Sequence, residues 1–400
     1  MKRNGLRIKA LCLTVIFLMS ICCGCAPRIK VIFLPNEEST VTTTAPATLP
    51  SETTLPPDTQ APSELPTEPS TEPPPTQPPT EPPTEPPAPP PEPELLYENP
   101  FTGEKQEDPF TARPFFISIN NNRRAMPFCG LNDADIVFEM LVNSRSTRCL
   151  ALVTDVHAIE RIGAIRSLRY NFIDITQAYD GIVIYASASD QVLEDMRSAG
   201  VDNINALAGG HGGAFYREQG RLDSGYPREH TLFTIPGLMA RLAEKKGYSL
   251  YTQGQKDYGL HFVQDGTPEF GEIANTITMS FFTGNKQTVM KYDPSTGRYQ
   301  MHQFGADQID GNSGQPLAFR NVFTLFAVNE DIGQYHVAQL LGSGDGYYAC
   351  GGKIIAIKWH HETDDAPFTF TLLDGTPLEQ SVGNSYVGII PTGSAFSFSK

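Results

Sequence analysis

The chain has 400 residues, a net charge of −15 and 34 prolines. An acidic balance of this size argues against nucleic acid as a partner, because such binding rests on phosphate neutralisation by basic residues. The prolines crowd into one stretch, which divides the sequence into an export segment, a linker and a globular remainder.

Residues 1–24 open with MKRNGLRIK and continue as LCLTVIFLMSICC. A basic start and a short apolar core describe an export signal, since the core falls short of the roughly 20 residues a membrane span needs. Gly24-Cys25 looks like a bacterial lipoprotein processing site, with cleavage before Cys25 and a lipid on its sulfur. Residues 25–94 follow as a Pro/Thr/Glu-rich linker with a degenerate Thr-Glu-Pro repeat. A segment of that composition cannot bury apolar surface and stays extended. The part from Asn36 to Glu94, fully stretched, would reach on the order of 150–180 Å. Lipid and linker together predict a folded part outside the cytoplasm, anchored to the outer face of the cell membrane and held away from it.

Residues 95–257 mix strand and helix signals and predict an α/β domain. Strands are expected at 114–119, 136–142, 150–154 and 181–186, and helices over 168–178, from Ser189 to Gly200, and over 235–246. From residue 258 to 400 the pattern turns to short strands separated by turn signals such as Asp293-Pro294-Ser295-Thr296-Gly297 and Asp374-Gly375. That spacing predicts a β-rich domain, an antiparallel barrel or sandwich without helices. Cys129, Cys149 and Cys350 remain after the signal, an odd number that suits small buried thiols better than a disulfide scaffold.

Catalytic signatures are absent from the globular part. It has no Gly-x-Ser-x-Gly elbow, no His-Glu-x-x-His, no Cys-x-x-Cys and no phosphate-cradling Walker loop. Gly342-Ser343-Gly344-Asp345-Gly346 reads as a hairpin loop. His360-His361 ends a strand, where neighbours face opposite ways, so the pair does not share a metal. The Gly209–Gly213 loop around His211 reads as a surface loop. No metal and no cofactor are expected.

The stretch from Ser144 to Tyr170 stands apart, with Arg145, Arg148, Arg161, Arg166 and Arg169 and no lysine. Arginine's planar fork matches carboxylate and phosphate, so it is used where charge must be aimed. If the helix starts at Ser167, then Arg166, Arg169 and Tyr170 fall on one side of its first turn. Asn120 and Asn121 follow a strand, Glu139 lies within an apolar strand, Arg217 follows Phe215-Tyr216, and His230 precedes Thr231-Leu232-Phe233-Thr234. These residues, with Arg148, Arg161, Arg166, Ser167 and Arg169, are expected to converge on a cleft beside the sheet. Glu139 either pairs internally with Arg148 or Arg166 or faces a ligand.

Arg113-Pro114, Ile119-Asn120-Asn121, Gly130-Leu131, Ala134-Asp135-Ile136-Val137, Glu139, Thr147-Arg148, Arg161-Ile162-Gly163, Arg166-Ser167 and Phe215-Tyr216-Arg217 resemble the YerB-like lipoprotein family of Gram-positive bacteria. The resemblance continues through Gly342-Ser343-Gly344, Ile357-Lys358-Trp359, Asp374-Gly375 and Ile390-Pro391. It implies a lipid-anchored export signal, a linker and paired domains of unknown function, and it carries no established activity. Two functional readings follow. One is a binding or scaffold protein that holds an anionic cell-wall component, or a protein partner, in an arginine-lined cleft. The alternative is a transferase or hydrolase on a phosphorylated or carboxylated wall precursor, with Glu139 or His230 as base. The missing nucleophile and metal motifs favour the first.

Overall fold

The computed structural model describes residues 97–254, 256–282 and 286–400. The export signal, Cys25 and the proline-rich linker lie outside the described residues.

One open sheet runs through the molecule. Its strands stand side by side in the order Glu272–Ile273, Lys353–His361, Gly342–Cys350, Asn321–Ala327, Ser385–Pro391, Ile136–Asn143, Ser146–Val153, Phe115–Asn121, Ile182–Tyr185 and Asp202–Asn205. The two sequence halves join at Ser385–Pro391, which lies parallel to Asn321–Ala327 on one side and to Ile136–Asn143 on the other. A strand in that place is covered on both faces, which suits the near-continuous apolar run Tyr386-Val387-Gly388-Ile389-Ile390. The sheet therefore crosses the boundary expected at residue 257.

No barrel forms; the long sheet stays open at both edges. A second sheet, containing Thr276–Ser280, Gln287–Asp293, Arg298–Gln303 and Phe396–Ser399, instead layers onto one face. Ile277, Met279, Met290 and Met301 from this sheet share a core with Ile117, Ile119, Val137, Cys149 and Ala151 of the long one. The opposite face carries Phe116, Phe138, Leu150 and Leu152, which pack with Phe172 and Ile175 of the helix Tyr170–Ala178 and with Val192 and Met196 of the helix Asp190–Ala199. Period-two alternation assigns each strand residue to one of these layers.

Local chemistry sets the element ends. Ser189 caps the helix Asp190–Ala199 by accepting from the Val192 N–H, and Gly200 closes it at φ 69°. Pro236 opens the helix Pro236–Lys245. No α-helix follows Lys245 among the described residues. Two expectations are corrected. Gly342–Gly346 is not a loop but the first half of a strand paired in register with Lys353–His361. A side chain at Gly344 would sit 2.6 Å from the Trp359 indole, so the glycine admits the tryptophan rather than making a turn. The helix begins at Tyr170, not Ser167, and Arg169 occupies its extended cap position. The short strand Asp202–Asn205 was hidden because Asn and Asp are poor strand formers; parallel pairing with Ile182–Tyr185 imposes it.

Candidate functional site

Strand alternation sends the predicted site residues to different places. Asn121, Glu139 and Thr147 point into the layer between the two sheets, whereas Asn120 and Arg148 point to the helical face. Cleft-sharing by all of them is thereby overturned.

Glu139 is fully buried. Its Oε1 accepts from Asn121 Nδ2 at 2.8 Å and Thr147 Oγ1 at 2.7 Å, and lies 3.0 Å from Lys286 Nζ. Its Oε2 accepts from Thr288 Oγ1 at 2.8 Å, Gln303 Nε2 at 3.1 Å and the Tyr386 hydroxyl at 2.8 Å. The internal partner of Glu139 is thus Lys286, and neither Arg148 nor Arg166. A carboxylate so surrounded replaces its lost water with charge-assisted bonds, which is what makes burial tolerable. Burial pushes the Lys286 ammonium below its ordinary pKa, and Glu139 pulls it back. With no exposed atom, Glu139 has no access to a substrate in the cleft, so it is not the base of an anion-processing site.

Arg161 is also committed elsewhere. Its guanidinium donates to Asn312 Oδ1 at 3.2 Å, lies 3.8 Å from Glu218 and stacks 5.9 Å from the Phe233 ring centroid. It fastens the loop around Gly311 to the first half.

The remaining residues do come together. Pairing of Phe115–Asn121 with Ile182–Tyr185 stops at Ile117, and residues 164–166 take over that edge. There the Asn120 N–H donates to the Ala164 carbonyl at 2.9 Å and the Arg166 N–H to the Ser118 carbonyl at 2.7 Å. The Ser167 carbonyl accepts from Arg148 Nη1 at 2.7 Å and from Ser118 Oγ at 3.2 Å. Asn171 locks the helix start to the second half through Ala338, donating to its carbonyl at 2.7 Å and accepting from its N–H at 2.9 Å. Arg169 stacks 5.0 Å from the Tyr335 ring centroid. On the far side of Arg166 lie His230, bonded through Nδ1 to Asn120 Nδ2 at 2.6 Å, and Arg217, which donates to the Arg228 carbonyl.

The electrostatics of this group are unbalanced. Arg148 is 7% exposed, and burial, then Arg169 and Arg166, push its guanidinium well below the usual range. Burial lowers Arg166 and Arg169 as well. Among the described residues no carboxylate lies within 4.0 Å of Arg148, Arg166 or Arg169. Glu229, the acid that Arg166 feels, is exposed and unpaired. The Nε atoms of Arg166 and Arg169 are buried without a partner. The helix Tyr170–Ala178 adds its positive end here, with no acid in its first turn and no side-chain cap. Burial and Arg166 push His230 below its ordinary pKa, and acceptance from Asn120 at Nδ1 fits the neutral ring. Arg145 is exposed and stands apart.

Four clefts of about 620, 530, 800 and 300 Å³ open elsewhere, and none has these arginines in its lining. Arg166 and Arg169 are half-buried and Arg148 is buried. His211 lines the smallest of the four and is tied to the Asn205 carbonyl at 2.8 Å. His361 is buried against the Leu340 carbonyl and His360 faces Thr371, and no metal-ligating group of three appears among the described residues. The three cysteines are free and buried. Sequence reasoning missed Lys286, Tyr335, Asn171 and Arg221. The last is 7% exposed and donates to the Ala125, Pro127 and His230 carbonyls, holding the His230 turn in place. The conflict of a buried-type segment with an arginine was its one available signal.

Residues 101–249 match the family model described as "Protein of unknown function (DUF3048) N-terminal domain", and residues 277–387 match the corresponding C-terminal domain. Over 306 residues the chain is 28% identical to "Putative lipoprotein YerB" of Bacillus subtilis (strain 168), covering 75% of this chain and 88% of that protein. The crystal structure of the YerB protein from Bacillus subtilis superposes with a TM-score of 0.66 at 26% identity, covering 76% of this chain and 99% of the other. No helix among the described residues is long and apolar enough to cross a membrane.

Proposed function

The chain belongs to the YerB-like family with paired DUF3048 domains, and from that premise we propose a lipid-anchored envelope protein that binds an anionic group at the Arg148–Arg166–Arg169 edge. Cys25 carries the lipid, residues 25–94 form the spacer, and residues 95–257 and 258–400 act as two parts of one body. The lipoprotein name of the Bacillus relative supports the anchor. The observation that carries the binding site is the group of three buried or half-buried guanidiniums with no carboxylate partner beside an uncapped helix start.

Physics favours a ligand there. Three like charges in a partly desolvated place repel one another, and a phosphate or carboxylate at the half-buried Arg166 and Arg169 relieves that repulsion. Ser167, Asn120, Arg217 and His230 border the same edge and would orient the group. The acidic body around it suppresses nonspecific anion contact, so recognition stays selective. The ligand class is an anionic cell-wall component or the acidic segment of a protein partner. Burial of Glu139 removes one of the two bases the enzyme reading needed, so binding is favoured over turnover.

Calorimetric titration with polyprenyl phosphate, muropeptides and teichoic-acid fragments tests this. Saturable binding that weakens as salt rises supports the edge as an anion site. Heat from none of the three, at low salt and micromolar to millimolar ligand, overturns it.

A further inference from the structure

The Glu139 node holds more than an ion pair. Lys286 Nζ and Asn121 Nδ2 converge on the same carboxylate oxygen, Oε1, at 3.0 and 2.8 Å. All three side chains are sealed from water, with Lys286 5% exposed, Asn121 2% and Glu139 0%. Aromatic rings line the lysine, Phe304 at 4.8 Å and Phe281 at 5.8 Å from Nζ. Asn121 Oδ1 has no hydrogen-bond partner. An amine, a carboxamide and a carboxylate able to relay a proton, in one dry place, are the components of amide exchange.

The geometry points to an intramolecular isopeptide bond between Lys286 Nζ and Asn121 Cγ, formed with Glu139 as proton carrier. A proton first passes from the Lys286 ammonium to Glu139 Oε1, 3.0 Å away, which frees the Nζ lone pair. The Nζ lone pair then attacks Asn121 Cγ, and the new N–C bond forms as the Cγ–Nδ2 bond breaks. Nδ2 leaves as ammonia, with the extra proton relayed from Nζ through Glu139 Oε1. Lysine amine and asparagine amide become one secondary amide plus ammonia, with no oxidant, metal or co-reactant. Burial depresses the Lys286 pKa, which makes the neutral nucleophile accessible. Gln303 is the other buried carboxamide at the node, but it sits on Oε2.

The bond would join the end of the strand Phe115–Asn121 to the start of Gln287–Asp293, one in each family domain. The two sheet layers would then be covalently closed, a useful property for a domain on a long tether outside the cell.

Mass spectrometry of the full chain decides the matter. The parent protein should be about 17 Da lighter than its sequence requires, the mass of one ammonia. Its digest should contain a branched peptide holding both Asn121 and Lys286, resistant to reductant. Glu139→Gln and Lys286→Arg should have their full sequence masses and run more slowly on a denaturing gel. The parent measurement needs no variant to fold. A parent chain of unmodified mass, with the peptides of Asn121 and Lys286 recovered separately, overturns the proposal. So does the same mass loss in a linear peptide, or a link from Lys286 to Gln303 or Glu139.

Discussion

Two charged regions lie on opposite faces of the same strands and are built on opposite principles. In the layer between the sheets, Glu139 meets Lys286 and five neutral donors, and every lone pair of the carboxylate is used. On the helical face, Arg148, Arg166 and Arg169 crowd together with carbonyls and a tyrosine ring for company. Neighbouring residues feed the two regions. Asn121 and Thr147 serve the first, while Asn120 and Arg148 serve the second. A compensated charge ties the two sheet layers together, while the arginine group has no carboxylate within 4.0 Å among the described residues.

The largest effect that would sharpen this contrast is on the compensated side. Glu139→Leu strands Lys286 and five donors in the interior, and should destabilise by about 3–5 kcal/mol, a large share of a domain's stability. Urea unfolding monitored by far-UV circular dichroism gives the number. A loss under about 1 kcal/mol would mean that the node is not glue.

The opposite sign is expected across the sheet. Arg148→Met removes a buried cation that its neighbours repel, and the Ser167 carbonyl keeps its bond from Ser118. Stability should hold or rise by about 1 kcal/mol in the same experiment. A fall of several kcal/mol would show that Arg148 is structural after all.

A smaller effect concerns pH. Burial and Arg166 hold His230 below its ordinary pKa, so the folded protein prefers the neutral ring. Stability from that preference is present above about pH 6.5 and is lost as pH falls through the lowered folded value. An anion beside Arg166 raises the His230 pKa, so binding should tighten several-fold between pH 7.5 and 5.5. His230→Gln should flatten that dependence. Titrations of both proteins at the two pH values check it, and equal slopes would remove His230 from the edge.

Much of this was legible in the residues. Apolar runs located nearly every long strand, and Ser189 with Gly200 marked a helix to within a residue. The arginine stretch drew attention by its five guanidiniums without a lysine; three of them, Arg148, Arg166 and Arg169, gather at one edge, while Arg145 and Arg161 lie elsewhere. Alternation within Phe115–Asn121 already separates Asn120 from Asn121, and this was the signal that could have divided the site correctly. Lys286 was not legible, since a single lysine after Gly284-Asn285 looks in the sequence like any surface charge until the fold buries it against Glu139. The continuous sheet was equally hidden: only tertiary pairing places Ser385–Pro391 beside a strand from the other half. The export signal and linker stand on composition alone.

Binding at the arginine edge requires that Arg148, Arg166 and Arg169 be free for an anion. The most direct test compares melting temperatures of the chain and of an Arg166→Ala/Arg169→Ala variant, each with and without polyprenyl phosphate, muropeptides and teichoic-acid fragments. The variant should melt within a few degrees of the parent, and one ligand class should raise the parent by roughly 5 °C at a hundredfold excess over Kd while leaving the variant unmoved. A variant that melts far lower, with a parent that no ligand shifts, would make these arginines part of the glue and contradict the account.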